Sequence, residues 1–187
     1  MKLSEMVKDL EEVVESNIKK LFETFEESPA YFLSEADVQC YLYSLLINDE
    51  RIKKLSPLIK SGDKLGDDEL NKDSRTLLVH AERPRAKDFP HHDIFIYAPC
   101  EIASFSSLEP VIGIEIKFNR GPYSVNRKTP TPVKTDIEKL LKNKKLKRKY
   151  LLWLNWGRPM NEDYVKVIKE RYKNENVKIL TTPLMKK

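Results

Sequence analysis

Apolar residues recur at intervals of three and four positions along the first 27 residues of the chain. The positions are Leu3, Met6, Val7, Leu10, Val13, Val14, Ile18, Leu21, Phe22 and Phe25. This spacing predicts one long amphipathic helix with an acidic outer face, which ends before Ser28 and Pro29. The apolar stripe is long enough to pair with a second copy of the chain, although such a helix more often folds back onto its own domain.

A second helix and several strands are predicted downstream. Ser34 stands three residues before Asp37, which is the pattern of a capped helix start, and Val38 begins the buried face of that helix. Residues 51–74 are rich in turn-forming residues and predict a connecting segment with one short helical piece. Strands rich in Ile, Val, Phe and Tyr are then predicted over residues 76–81, 92–97 and 111–118.

The strand over residues 111–118 is apolar on both faces, which is typical of a central strand covered by helices on both sides. After it, Thr135 and Glu138 form a second capping-box pattern, which predicts the start of another helix. The last predicted elements are a strand over residues 150–156, a helix capped by Asn161 and a short strand over residues 177–180.

This order of elements predicts an α/β fold, in which a mixed β-sheet is flanked by helices and preceded by an N-terminal amphipathic helix. A length of 187 residues, with 40% hydrophobic and 34% charged residues, is typical of one globular domain. We therefore expect a single domain over residues 1–187, with residues 31–156 as its core and residues 1–27 as a helical extension.

The charges are divided unevenly along the chain. Residues 1–50 hold 4 Lys or Arg against 12 Asp or Glu, whereas the remaining residues hold 30 against 17. The densest basic stretch, residues 117–150, contains 12 basic residues against only Asp136 and Glu138. A confined basic zone favours a polyanionic partner, although a lysine-rich helix is also the commonest kind of solvated surface.

Two further classes of protein are disfavoured by the sequence. No apolar run approaches the ~18 residues that a membrane-spanning helix needs, so a cytoplasmic protein without membrane contact is expected. Cys40 and Cys100 have no CxxC partner, which argues against a zinc site and for two small buried side chains.

The candidate chemistry lies on the predicted central strand. Strand alternation places Glu115 and Lys117 on the same face, where buried charge is costly unless it is paired or binds a metal. A salt bridge at the end of the strand is the simplest explanation. Asp93 lies near the start of the preceding strand, and a hairpin-like pairing would bring it next to Glu115. Two carboxylates and the carbonyl of Ile116 would suit Mg²⁺ or Mn²⁺.

These residues resemble the motif of a known family. Asp93, followed after 21 intervening residues by Glu115, Ile116 and Lys117, is similar to the motif of the PD-(D/E)XK nuclease superfamily, which has the restriction-endonuclease-like fold. Members commonly carry a glutamate on the first core helix, which Glu35 matches here, and a helix and a strand follow the motif. The resemblance covers residues 31–156. One departure is that His92, rather than proline, precedes Asp93.

The resemblance implies a Mg²⁺-dependent nuclease, with Mn²⁺ as an alternative metal and DNA favoured over RNA as the substrate. Asp93 and Glu115 would be metal ligands together with the Ile116 carbonyl, Lys117 would be catalytic, and Glu35 would assist. The alternatives are a non-cleaving nucleic-acid-binding protein that keeps the fold and an interaction module. A homodimer is plausible for a nuclease that cuts two strands.

Other residues are weaker candidates. The basic residues after the motif are expected to contact phosphates. They are Arg120, Arg127, Lys128 and Lys134, followed by the lysines of the next helix, which would begin beside the site. His91 and His92 could approach a phosphate, but a surface position is the more frequent outcome. Gln39 lies one helical turn after Glu35, so it could face either the site or solvent.

Overall fold

The computed structural model describes residues 3–55, 64–65, 68–69, 78–81, 92–98, 110–120, 131–156 and 162–182. The helices are α1 (Leu3–Glu27), a 3₁₀ turn (Pro29–Tyr31), α2 (Glu35–Asn48), α3 (Glu50–Leu55), α4 (Thr131–Lys142) and α5 (Glu162–Arg171). The strands are β1 (Lys64–Leu65), β2 (Asp68–Glu69), β3 (Val79–Ala81), β4 (Ile94–Tyr97), β5 (Pro110–Arg120), β6 (Arg148–Trp156) and β7 (Lys178–Thr181).

Five strands form one mixed sheet in the order β3-β4-β5-β6-β7. The pairs β3–β4 and β4–β5 are antiparallel, whereas β5–β6 and β6–β7 are parallel. β5 is therefore the central strand, as its two apolar faces predicted. The mixed sheet flanked by helices and the predicted α/β class are confirmed by this topology.

Successive side chains of β5 point to opposite faces of the sheet, so the protein core forms two layers. Ile112, Ile114 and Ile116 pack with the buried faces of α1 and α2 on one side of the sheet. On the other side, α4 and α5 pack against Phe95 and Trp153. Both faces of the sheet are thus covered, and the face that carries Glu115 lies under α4.

The long N-terminal helix folds back onto the domain, which is the more frequent of the two outcomes that its apolar stripe allowed. Seven of its side chains are buried in the same core as the central strand, and these are Val7, Leu10, Val13, Val14, Ile18, Leu21 and Phe25. Polar contacts add to this packing, because Glu11 accepts a hydrogen bond from Arg148 at 2.6 Å and Glu15 accepts one from Tyr150 at 3.0 Å. Among the described helices, none is long and apolar enough to cross a membrane.

Three local predictions compare with the structure as follows. The capped start of α2 is confirmed, because the Ser34 side chain accepts from the Asp37 amide and Asp37 accepts from the Ser34 amide. The predicted helix start at Thr135 is wrong, because α4 begins at Thr131. Pro132 falls in the first helical turn, where the missing amide hydrogen costs nothing.

The prediction that Cys40 is buried is wrong, because its side chain is exposed. Cys100 and the predicted helix cap Asn161 lie outside the described residues.

Asp49, directly after the end of α2, joins three helices. Its Oδ2 accepts a hydrogen bond from the buried Asn17 on α1 at 2.9 Å, and Arg51 on α3 donates to both of its oxygens. The hydrogen bond from Arg51 lowers the pKa of Asp49 below its ordinary value of 3.8 against the effect of burial, and Asn17 adds to the shift. The folded state therefore favours the charged carboxylate.

We expect Asp49→Asn to lower the free energy of unfolding by about 1–2 kcal/mol at pH 7, because asparagine keeps only one of the two oxygens that accept from Arg51 and Asn17. The effect stays this small because solvent screens the half-exposed Arg51. Since the pKa of the folded carboxyl is depressed, this stability is fully present above pH 3.8 and is lost as the pH falls further. Urea unfolding at pH 7 and pH 3 should show the difference between the two proteins shrinking in acid. An equal difference at both pH values would contradict the assignment, and Asp9→Asn on the exposed face of α1 is the control.

Candidate active site

The sheet register brings Asp93 and Glu115 together. The pairing of β4 with β5 places Ile94 opposite Ile114, so the preceding residue, Asp93, lies beside the position of Glu115. Asp93 Oδ2 accepts a hydrogen bond of 2.6 Å from the backbone amide of Ile116. The hairpin-like pairing predicted from the sequence is therefore confirmed, and it is antiparallel.

Glu35 reaches the same region from α2. Because Ser34 caps the helix, Glu35 lies in its first turn, and its Oε2 accepts a hydrogen bond of 3.1 Å from the Phe118 amide. One turn later, Gln39 Nε2 donates to the backbone oxygen of Asp93 at 2.7 Å. Gln39 therefore faces the site rather than solvent, and α2 is fixed to both strands of the hairpin.

Lys117 lies between two carboxylates at the far end of the site. Its Nζ is 3.0 Å from Glu35 Oε2 and 3.7 Å from Asp136 Oδ2. Burial alone would lower the pKa of Lys117, but the hydrogen bond and charge of Glu35, with Asp136 and Asp93, raise it above its ordinary value. The side chain is therefore a fixed ammonium ion. The two charges of the strand are paired, but with partners from other elements: Lys117 with Glu35 and Asp136, and Glu115 with Lys139.

Two residues of α4 complete the site and were not identified from the sequence. Lys139 Nζ lies 3.3 Å from Glu115 Oε2 and 3.2 Å from Asp136 Oδ1. Burial opposes a charge on Lys139, but Glu115 and Asp136 raise its pKa. Asp136 and Lys139 are three residues apart on one helical face, and this spacing was the signal in the sequence that could have indicated them.

His92 is also part of the site, and the expectation that it lies at the surface is wrong. The residue is 1% exposed, and its Nδ1 lies 2.6 Å from Glu115 Oε1. Burial lowers the pKa of His92 to about 4, and the positive charge of Lys139 acts in the same direction. The imidazole is therefore neutral at pH 7. His91 lies outside the described residues.

The two central carboxyl groups are poorly solvated. Burial, followed by the charge of Glu115, raises the pKa of Asp93 to about 7, although the Ile116 amide opposes the shift. Burial also raises the pKa of Glu115 to about 8, with Lys139 opposing it and Asp136 adding to it. Asp93 is partly buried and Glu115 is buried, so a cation beside them would favour the charged form of both carboxyl groups.

The donor set fits a small, hard divalent cation. Within the described parts of the chain, no three His, Cys, Asp or Glu side chains are placed as a ready-made metal cluster. Mg²⁺, however, commonly binds through one or two carboxylates and keeps several waters. The Ile116 amide points at Asp93, and the carbonyl of the same strand residue faces the same edge. Asp93, Glu115 and this carbonyl are therefore suitable ligands.

The predicted phosphate-binding residues are only partly described. Lys134 is exposed on the first turns of α4, with its Nζ 3.6 Å from Glu138. Arg120 ends β5; its side chain, like Arg127 and Lys128, lies outside the described residues. Of the later lysines, Lys147 lies toward the other end of β5 from Lys117, because its amide bonds the Val111 carbonyl. Lys149 lies close enough to His92 for its charge to lower the pKa of that imidazole.

No family model matches the chain, and no curated protein or solved structure matches it either. The fold brings Glu35, Asp93, Glu115 and Lys117 together and adds His92, Asp136 and Lys139.

Proposed function

We propose that this protein is a divalent-metal-dependent nuclease that hydrolyses phosphodiester bonds of nucleic acid, with DNA favoured over RNA. The observation that carries the proposal is the meeting of Asp93, Glu115 and Lys117 on neighbouring strands of the central sheet. Glu35 joins them from the first core helix. This arrangement supports a PD-(D/E)XK nuclease with the restriction-endonuclease-like fold.

Asp93, Glu115 and the Ile116 carbonyl would hold Mg²⁺ or Mn²⁺. Such an ion would stabilise charge on the phosphoryl oxygens and make a water more acidic. The pKa values of Asp93 and Glu115, raised to about 7 and about 8, would fall in its presence, because an adjacent cation favours both carboxylates. The two side chains would then remain ionised through neutral pH.

Lys117 would act as an ammonium ion rather than as a base, because its pKa is raised. It would orient the attacking water and offset the negative charge that develops on the phosphorus centre. In the reaction, the water oxygen bonds to phosphorus and the bond to the leaving oxygen breaks. One water proton passes to the leaving oxygen and the other to solvent. Glu35 would hold Lys117 and the end of β5 in place.

The charge distribution favours approach of nucleic acid from the α4 side of the sheet. Residues 1–50, which include α1 and α2, have a formal charge of −8, whereas the rest of the chain has +13. Lys134 is exposed on α4, within the same helix as Asp136 and Lys139. We propose that Lys134, with Arg120, Arg127 and Lys128, contacts phosphates.

One observation favours the alternative of a protein that binds nucleic acid without cutting it. Both oxygens of Glu115 already have donors, since His92 contacts Oε1 and Lys139 contacts Oε2. A carboxylate has lone pairs for more than two partners, so this contact pattern does not prevent metal binding. Binding that depends strongly on salt but never leads to cleavage would favour the alternative.

We expect the wild-type protein to cleave at least one of supercoiled plasmid, linear duplex and single-stranded DNA with Mg²⁺ or Mn²⁺, and not with EDTA. Asp93→Asn should abolish both cleavage and Mn²⁺ binding, because it removes one of the two ligand carboxylates. Gel assays of the three substrates and calorimetric titration of Mn²⁺ measure the two effects. Asp163→Asn, at an exposed position on α5, is the matched control. Cleavage that persists in EDTA would contradict the proposal.

A further inference from the structure

A chain of hydrogen bonds runs from the turn after α4 to Glu115. The Lys145 amide donates to Asn143 Oδ1 at 3.3 Å. This bond fixes which end of the Asn143 side-chain amide faces inward, because a backbone amide can only donate. The Nδ2 end of Asn143 therefore faces His92, whose Nε2 lies 3.5 Å away.

The orientation of Asn143 determines the tautomer of His92. Because Nδ2 of an amide can only donate, Nε2 of the imidazole must accept, and a neutral imidazole then carries its hydrogen on Nδ1. That hydrogen points at Glu115 Oε1, at a heavy-atom distance of 2.6 Å. His92 is therefore a donor to the carboxylate.

The ring is held in place by packing as well as by hydrogen bonds. His92 lies edge-on to Phe95, with their ring centroids 5.0 Å apart. The ring also lies close to Gly113, where an added Cβ would be in ordinary contact with His92 Cδ2 at 3.5 Å and would overlap Leu146 at 2.5 Å. The absence of a side chain at Gly113 therefore leaves room for Leu146 beside the ring. A side chain with so little freedom can orient its partner.

We propose that His92 is a positioning residue that holds Glu115 in the orientation needed to bind a divalent cation. The inference rests on the proposed function, because it assigns Glu115 the role of a ligand. His92 directs Oε1, and Lys139 contacts Oε2 from the solvent side. Glu115 is 1% exposed, so without His92 its Oε1 would lose its hydrogen bond in a place where solvent hardly reaches.

Nitrogen-15 NMR of the metal-free protein tests the hydrogen bond directly. We expect His92 to show a protonated Nδ1 and an unprotonated Nε2, the opposite of the tautomer that free histidine prefers in water. Asn143→Leu should weaken this preference, because Nε2 then loses its donor. An Nε2–H tautomer in the wild type would overturn the inference, whatever the protein does with metal.

Mn²⁺ affinity, measured by calorimetry, tests the role. His92→Leu should lower the affinity by about 10- to 100-fold, a typical cost of losing the partner of a metal ligand. His92→Asn should recover most of it, because the asparagine amide can place a donor near the position of Nδ1. The control variants are His80→Leu and His80→Asn. His80 lies on β3, edge-on to Tyr97 of β4.

These experiments distinguish a failure of the positioning role of His92 from a failure of the whole proposed metal site. Thermal unfolding of each variant shows whether it is folded. A folded His92→Leu protein with wild-type Mn²⁺ affinity would overturn the positioning role. So would a folded His92→Asn protein whose Mn²⁺ affinity is as low as that of His92→Leu. If the wild-type protein binds no Mn²⁺, the proposed function fails, and with it the role of His92 in metal binding, although the tautomer would still report the bond to Glu115.

Discussion

Replacing Lys117 by methionine is expected to slow phosphodiester cleavage by about 10³-fold, which is typical of losing a group that stabilises charge in the transition state. Methionine keeps the length and the apolar stem of lysine but removes the ammonium. Glu35 and Asp136 then lose the cation that lies between them. Mn²⁺ affinity should stay the same or rise, because a nearby positive charge has been removed.

Slow cleavage together with unchanged Mn²⁺ binding would distinguish Lys117 from the proposed metal ligands, whose loss should reduce both. Plasmid nicking measures the rate, and calorimetric titration of Mn²⁺ measures the affinity. Lys20→Met, on the exposed face of α1, is the matched control and should match the wild type in both. Wild-type cleavage by Lys117→Met would contradict the proposed role. A loss of Mn²⁺ binding would instead show that Lys117 is needed to build the site.

Much of the site follows from local sequence rules. Alternation along a strand fixes which residues share a face, so Glu115 and Lys117 could be placed together before any tertiary structure was known. Two strands close in sequence commonly pair, and this placed Asp93 beside Glu115. The Ser34 cap fixed the first turn of α2 and therefore the position of Glu35. Each of these inferences needs only a short stretch of chain.

The remaining residues depend on how α4 packs across the sheet. The chain passes from β5 through α4 to the parallel strand β6, so α4 runs back along β5. Asp136 and Lys139 face the site only because of this path, which the helical period of α4 alone does not reveal. The same path places Lys147, after the end of α4, beside Val111 at the other end of β5 from Lys117.

His92 illustrates a different limit. A histidine at the start of a strand gives no local indication of burial, and its environment here is built from separate segments. Glu115 lies on β5, Asn143 follows α4, and Phe95 lies on β4. The only hint in the sequence was the position of His92 directly before Asp93, where the PD-(D/E)XK family that the motif resembles commonly has proline. That departure acquires a physical meaning once the imidazole is seen to donate to Glu115.

The N-terminal helix leads to the second large expected effect. The sequence allowed α1 to be either an extension available for dimer formation or a part of the domain. In the structure, its seven buried apolar side chains share a core with β5. At about 1.5–3 kcal/mol each, their burial corresponds to roughly 10–20 kcal/mol, which is comparable with the whole stability of a typical domain. The helix is therefore a structural part of the sheet's support.

Deleting residues 1–27 should consequently unfold the protein rather than release a folded monomer. We expect the truncated chain to lose its cooperative thermal transition, to bind the dye ANS and to lose Mn²⁺ binding, because the removal of α1 exposes much of one apolar face of β5. A full-length protein with Glu5, Asp9 and Glu12 changed to glutamine is the control, since these acids lie on the exposed face of α1. A truncated chain that still unfolds cooperatively and binds Mn²⁺ would show that the core does not need α1. That result would favour the alternative in which α1 is a surface for interaction with a partner.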